Sequence, residues 1–127
     1  LYQTKTLPGL RLWGKALSRV QLDPKTGSAH TLVTKADLAE TKTTPAAAIG
    51  LLDELLAAAQ EAIVALFIES ERGTDVHLVI RDPLRIPDLP DTARRLSPHY
   101  THIPLPVPPA QSLQTVMGWW KSAVPGM

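Results

Sequence analysis

The chain has 127 residues, with 13 lysines and arginines against 12 aspartates and glutamates, which gives a net charge of +1 at neutral pH. A near-neutral chain lacks the strongly basic character of a dedicated nucleic-acid binder, and a chain of this length can bury a core of its own. It contains no cysteine, which excludes disulfide scaffolds, cysteine zinc sites and thiol nucleophiles.

The first predicted element is a strand. Residues 10–22, LRLWGKALSRVQL, alternate between apolar and polar side chains, and alternation with a period of two is typical of a half-buried strand. The sequence DPKTG at 23–27 has the proline and glycine of a turn. The β-branched run at 28–35 then predicts a partner strand, so this part of the chain is predicted to form a β-hairpin.

A helix is predicted to begin at Pro45. Thr44 is a favourable N-cap residue, and proline is favoured at the first helical position. Ile49, Leu52 and Leu56 recur at three- and four-residue spacing, which gives the helix one apolar face.

Residues 62–82 leave two alternatives open. A helix that continued through Arg72 would be apolar on all sides at AIVALFI, residues 62–68, and would need complete burial. Two strands around the turn-rich sequence SERGTD fit better, so a second β-hairpin is favoured. Because both faces of its first strand are apolar, this strand is predicted to be central in the sheet, or at an edge that pairs across a dimer.

Eight of the 12 prolines lie between Pro83 and Pro109, so residues 83–109 are predicted to be an extended segment. A final helix is predicted from Pro109, with Leu113 and Val116 on one face. The predicted fold is a single α+β domain over residues 1–127, a small two-layer domain in the order β-β-α-β-β-α. Its antiparallel sheet is built from two hairpins, with the helices on one face.

Motifs for catalysis or metal binding are absent or weak. The sequence has no G-x-S-x-G nucleophile motif, no dinucleotide-binding glycine pattern and no phosphate-binding P-loop. His99 and His102 form an H-x-x-H pair, but the flanking prolines remove the helical geometry that would align two metal ligands. They are interpreted as loop histidines, and we predict no catalytic residue, no metal site and no cofactor.

The polar side of the first predicted strand carries four residues of interest: Arg11, Trp13, Lys15 and Arg19. Basic side chains around an aromatic ring suit single-stranded nucleic acid, because bases stack on the ring and phosphates contact the charges. The competing interpretation is the ordinary polar face of a strand. Arg94 and Arg95 form a second, weaker basic spot.

Two adjacent tryptophans, Trp119 and Trp120, point around different sides of the last helix, which makes them candidates for a protein interface. The leading functional prediction is therefore a non-catalytic interaction module, a small subunit or adaptor that binds a protein partner or itself, with a homodimer expected. The alternatives are nucleic-acid binding through the first hairpin, and a small-ligand-binding or unusual enzyme domain. No membrane contact and a cytoplasmic location are expected.

Overall fold

The computed structural model describes residues 7–23, 27–58, 60–81, 89–97 and 99–123, without the side chains of 58 and 119–123. Its elements are, in chain order, α1 (Leu7–Ser18), β1 (Gln21–Asp23), β2 (Ser28–Val33), α2 (Lys35–Thr41), α3 (Pro45–Ala58), β3 (Ile63–Ser70), β4 (Gly73–Ile80), β5 (Arg94–Arg95), β6 (Tyr100–Leu105) and α4 (Pro109–Ala123). Within these ranges, no helix is long and apolar enough to cross a membrane.

The strands form one six-stranded sheet in the order β1-β2-β3-β4-β6-β5. The predicted α+β class is confirmed, but the sheet is mixed rather than antiparallel throughout. Strands β2 and β3 run parallel, with Ser28 opposite Ile63 and Val33 opposite Ile68. Parallel neighbours need a long crossover connection, and α2 and α3 supply it.

The stretch at 62–68 is strand, as the sequence favoured. β3 pairs in continuous antiparallel register with β4, from Ile63 opposite Ile80 to Ser70 opposite Gly73. Residues 63–68 are buried on both faces of the sheet, between β2 on one side and β4 on the other. The predicted central position is therefore confirmed, and the alternative of a helix through Arg72 is wrong.

Two apolar cores lie on opposite faces of the sheet. On one face, Val64, Leu66 and Ile68 of β3 pack with buried side chains of α1, α2 and α3. On the other face, Ile63, Ala65 and Phe67 pack with Val116 of α4 and with β4 and β6. The helices thus cover both faces of the sheet. The prediction placed the helices on one face, and it is corrected by α4, which lies on the other.

The prediction of a strand over residues 10–22 is wrong for most of that range. Residues 7–18 form helix α1, and only Gln21–Asp23 is strand. The buried side chains of α1 are Leu12 and Ala16, and Val20 packs against the same core. These three residues are four apart, and a spacing of four fits one face of a helix as well as one face of a strand. Leucine, arginine, lysine and alanine also favour the helix by intrinsic propensity.

Helix α2 was not predicted, and it overlaps the predicted partner strand at 28–35 only at Lys35. Its start is a capping box, in which the Thr34 side chain accepts from the Asp37 backbone N–H and the Asp37 carboxylate accepts from the Thr34 backbone N–H. This reciprocal arrangement satisfies two donors that a helix start otherwise leaves unpaired. The sequence T-x-x-D at 34–37 is the local signal for it.

The proline-rich segment contains more regular structure than predicted. Residues 82–88 lie outside the described part of the chain, but β5 and β6 form beyond it. Pro104 pairs with Asp75 of β4, and β5 reaches only as far as Thr101 and His102 on the other side of β6. Because β6 is an edge at Pro104, the missing N–H of proline costs the sheet no hydrogen bond there.

Candidate functional site

The register between β4 and β6 brings together four polar side chains on the sheet face that α1–α3 occupy. Asp75, His77 and Val79 alternate along β4, and the partners of His77 and Val79 on β6 are His102 and Tyr100. Directly opposite residues of an antiparallel pair point to the same face. We refer to Asp75, His77, Tyr100 and His102 as the polar cluster.

The cluster is a continuous chain of contacts. The His77 and His102 rings are stacked, with centroids 4.7 Å apart and planes inclined by 10°. At one end, His102 Nε2 lies 2.9 Å from Asp75 Oδ1. At the other end, His77 Nδ1 and the Tyr100 hydroxyl share a hydrogen bond of 2.6 Å. A carboxylate, two imidazoles and a phenol are thus coupled across two strands.

Burial differs along the cluster and separates its two histidines. His77 is only 4% exposed, whereas the side chains of His102 and Asp75 are 24% and 36% exposed. Burial is the main cause that lowers the His77 pKa to about 4, and the positive charge of protonated His102 lowers it further, against the opposing effect of Asp75. His77 is therefore neutral at physiological pH.

Tyr100 remains protonated as well. Burial raises the Tyr100 pKa, and the negative charge of Asp53 on α3 raises it further. The inner half of the cluster is therefore two neutral, hydrogen-bonded groups, and the outer half is a histidine beside a carboxylate that solvent can reach.

Strand β5 adds an arginine beside the cluster. Arg94 is the register partner of His102, and Arg95 is the partner of Thr101. Arg94 therefore lies on the face of the polar cluster, whereas Arg95 lies on the opposite face, and both are exposed. His77, His102 and Arg94 form what we call the cross-strand row, which spans three strands at about 4.8 Å per step.

A cavity of about 530 Å³ lies at the Asp75 end of the cluster. Arg72 from the β3–β4 turn, Asp75 and Pro104 are among its lining residues. Asp75 is thus shared between the cavity wall and the hydrogen bond to His102. The cavity extends the polar surface beyond the strands and places a second arginine near it.

Helix α1 separates Trp13 from the basic residues of the predicted face, because Arg11 and Lys15 are four apart and share one side of the helix, whereas Trp13 is two residues from each. Lys15 Nζ contacts Glu40 Oε2 of α2 at 2.7 Å, and Arg19 binds the Asp37 carboxylate with both terminal nitrogens, Nη2 at 2.9 Å from Oδ1. Trp13 is partly buried against the core beside α1–α3, and Arg11 is exposed. Lys15 and Arg19 therefore join α1 to α2, and the four residues do not form one strand face.

The Arg19–Asp37 pair has marked electrostatic consequences. The hydrogen bonds that Arg19 donates are the main cause that lowers the Asp37 pKa to about 2. The backbone and side chain of Thr34 also lower this pKa, whereas burial of the carboxylate raises it. Asp37 also holds the capping box of α2. The pair is thus part of the packing of the fold.

The other predicted residues have mixed outcomes. Trp119 and Trp120 lie on α4, but their side chains are outside the described part of the structure. His99, just before β6, donates its Nδ1–H to the Ile80 carbonyl oxygen at 3.0 Å. Among the described residues, no group of three or more histidine, aspartate or glutamate side chains could hold a metal ion.

The sequence reasoning missed the polar cluster. It treated His102 with His99, its neighbour in sequence, and it did not connect His102 with His77. The available signal was the histidine in V-H-L-V, within a strand that is otherwise buried on both faces. A histidine in such a strand needs a polar partner. The identity of that partner depends on the β4–β6 register, which the sequence does not specify.

No protein-family model matches the chain, and no curated protein matches it. Solved structures do match. The crystal structure of an exopolyphosphatase-related protein from Bacteroides fragilis aligns with a TM-score of 0.79 at 13% sequence identity. The alignment covers 95% of this chain and 36% of that chain. The likeness at this identity concerns the fold, and this chain corresponds in length to about a third of the larger protein.

Proposed function

We propose that this chain is a non-catalytic module that binds a phosphate-containing ligand and works beside a catalytic domain. The observation that carries the proposal is the alignment with the exopolyphosphatase-related protein, which covers 95% of this chain but only 36% of the other. The sequence predicted an interaction module that binds a protein partner. In this proposal, that partner is the catalytic domain.

The chemistry of the described residues is compatible with an anionic ligand. Arg94 and His102 lie together on the outer part of the sheet, and Arg72 lines the neighbouring cavity. Guanidinium and imidazolium groups donate charge-assisted hydrogen bonds to phosphate oxygens. The nucleic-acid alternative based on α1 has less support, because Lys15 and Arg19 are already paired with carboxylates.

Isothermal titration of the 127-residue chain with sodium tripolyphosphate tests the binding part of the proposal. We expect saturable binding that exceeds the response to sodium sulfate at matched ionic strength, because sulfate controls for general anion attraction. The absence of binding at low ionic strength would contradict the proposal.

A phosphate-release assay on the same chain tests the non-catalytic part. Tripolyphosphate incubated with the chain, with and without divalent cations, is expected to release no more orthophosphate than buffer alone. Sustained release that scales with protein concentration would show that the chain carries its own hydrolytic site and would overturn this part of the proposal.

A further inference from the structure

The geometry points to His102 and Arg94, the outer part of the cross-strand row, as the site that holds a phosphate chain. This inference rests on the proposed function and assigns it to particular residues. His102 and Arg94 are neighbours across one strand spacing, about 4.8 Å, and both reach solvent, whereas His77 is buried behind them.

Arg94 supplies the permanent positive charge of the row. Its side chain is exposed, and its register with His102 places it on the same face as the polar cluster. A guanidinium donates several N–H groups in a planar fork that matches phosphate oxygens. Arg94 is therefore the residue on which the first contact with the phosphate chain depends.

His102 supplies an imidazole ring that is fixed beside Arg94. A carboxylate only accepts hydrogen bonds, so His102 donates its Nε2–H to Asp75 Oδ1 across the 2.9 Å contact. This hydrogen bond and the stacked His77 ring hold the imidazole on the same face of the sheet as Arg94.

His77 and Tyr100 fix the row from within. The stacked His77 ring, 4.7 Å away, supports His102 from the buried side, and the Tyr100 hydroxyl holds His77 at 2.6 Å. Asp75 on β4 binds His102, and Asp53 on α3 acts on Tyr100. Arg94, with Arg72 in the neighbouring cavity, supplies the positive charge that attracts an anion to this surface.

The experiment compares two adjacent arginines that differ in the face they occupy. Titration of tripolyphosphate into Arg94→Ala is expected to give a Kd about tenfold higher than that of the native chain, the loss typical of one charge-assisted contact. Arg95→Ala removes the same charge from the opposite face and is expected to change Kd less than about twofold. Equal effects of the two substitutions, or none from either, would overturn the assignment.

Two further outcomes separate this inference from the function it rests on. Phosphate chains occur both as inorganic polyphosphate and on nucleotides, so adenosine triphosphate is titrated alongside tripolyphosphate. Arg94-dependent binding of either ligand supports the row. Binding of both that is indifferent to Arg94 overturns the row but leaves the proposed function standing, whereas no binding of either ligand removes both.

Discussion

Asp37 and Asp75 each accept a hydrogen bond from a basic side chain on another part of the fold, and they differ in almost every other respect. Asp37 is 4% exposed and is held by Arg19 and by the Thr34 cap, whereas Asp75 is 36% exposed and is held by His102. Arginine stays charged at every accessible pH. The first pair is therefore a permanent part of the fold, whereas the second lies at the surface, where a ligand can reach it.

The largest expected effect is at the permanent pair. Asp37→Ala removes the acceptor for Arg19 and half of the capping box of α2, and we expect it to lower the free energy of unfolding by about 3 kcal/mol. Urea denaturation followed by circular dichroism measures the change. The control is Glu40→Ala, which removes the exposed partner of Lys15 and should cost less than about 1 kcal/mol. Equal costs for the two substitutions would contradict a structural role for Asp37.

The acid stability of the native chain follows from the same pair. The Asp37 pKa is lowered from 3.8 to about 2, so its stabilising contribution is present above pH 4 and is lost as pH falls towards 2. The loss should amount to about 2 kcal/mol. Asp37→Asn lacks the titrating group, so the stability difference between this variant and the native chain should shrink over that pH range. A difference that stays constant from pH 5 to pH 2 would show that Asp37 does not titrate as described.

An intermediate effect is expected inside the polar cluster. Tyr100→Phe deletes the hydroxyl that shares a 2.6 Å hydrogen bond with the buried His77 ring, and we expect a loss of about 1 kcal/mol in unfolding free energy. Ser18→Ala is the matched hydroxyl deletion at an exposed site and should stay within about 0.5 kcal/mol of the native value. If Tyr100→Phe is as mild as Ser18→Ala, the inner half of the cluster is not held as the structure indicates.

The smallest effect on stability is expected at Asp75. Asp75→Asn should change the unfolding free energy by less than about 1 kcal/mol, because the pair with His102 is partly exposed. The same substitution should tighten tripolyphosphate binding, since it removes the negative charge beside His102 that repels an anion. The two substitutions thus differ in effect, because Asp37→Ala is expected to affect folding and Asp75→Asn is expected to affect ligand binding. A large loss of stability from Asp75→Asn would remove this contrast.

Local sequence patterns predicted the elements in which several signals indicate the same secondary structure. The start of α3 at Pro45, the β3–β4 hairpin and the start of α4 at Pro109 all have clear caps, apolar faces or turn residues. The segment at 10–22 was misassigned because Leu12, Ala16 and Val20 are four apart, and this spacing satisfies a helix and a strand equally. Only the packing of α1 against α2 and α3 decides between them.

The candidate site was not predictable from the same patterns. His77 and His102 are far apart in the chain, and they stack because the β4–β6 register places them opposite each other. A shift of one residue in that register would send the two rings to opposite faces of the sheet. The separation of Arg94 from Arg95 has the same origin, which is why the sequence could identify a basic spot but could not divide it between faces.

The most direct test of the central claim observes the four histidine rings at once. Two-dimensional ¹H–¹³C NMR spectra of the imidazole Cε1–H groups, recorded during titration with tripolyphosphate at pH 6.5, report on His30, His77, His99 and His102 separately. The account predicts that the signals of His102 and its stacked neighbour His77 shift together with saturation. His30, on the α4 face beside Phe67, and His99, beside Ile80, should stay close to their starting positions. Saturating shifts confined to His30 or His99, with His77 and His102 unchanged, would contradict it.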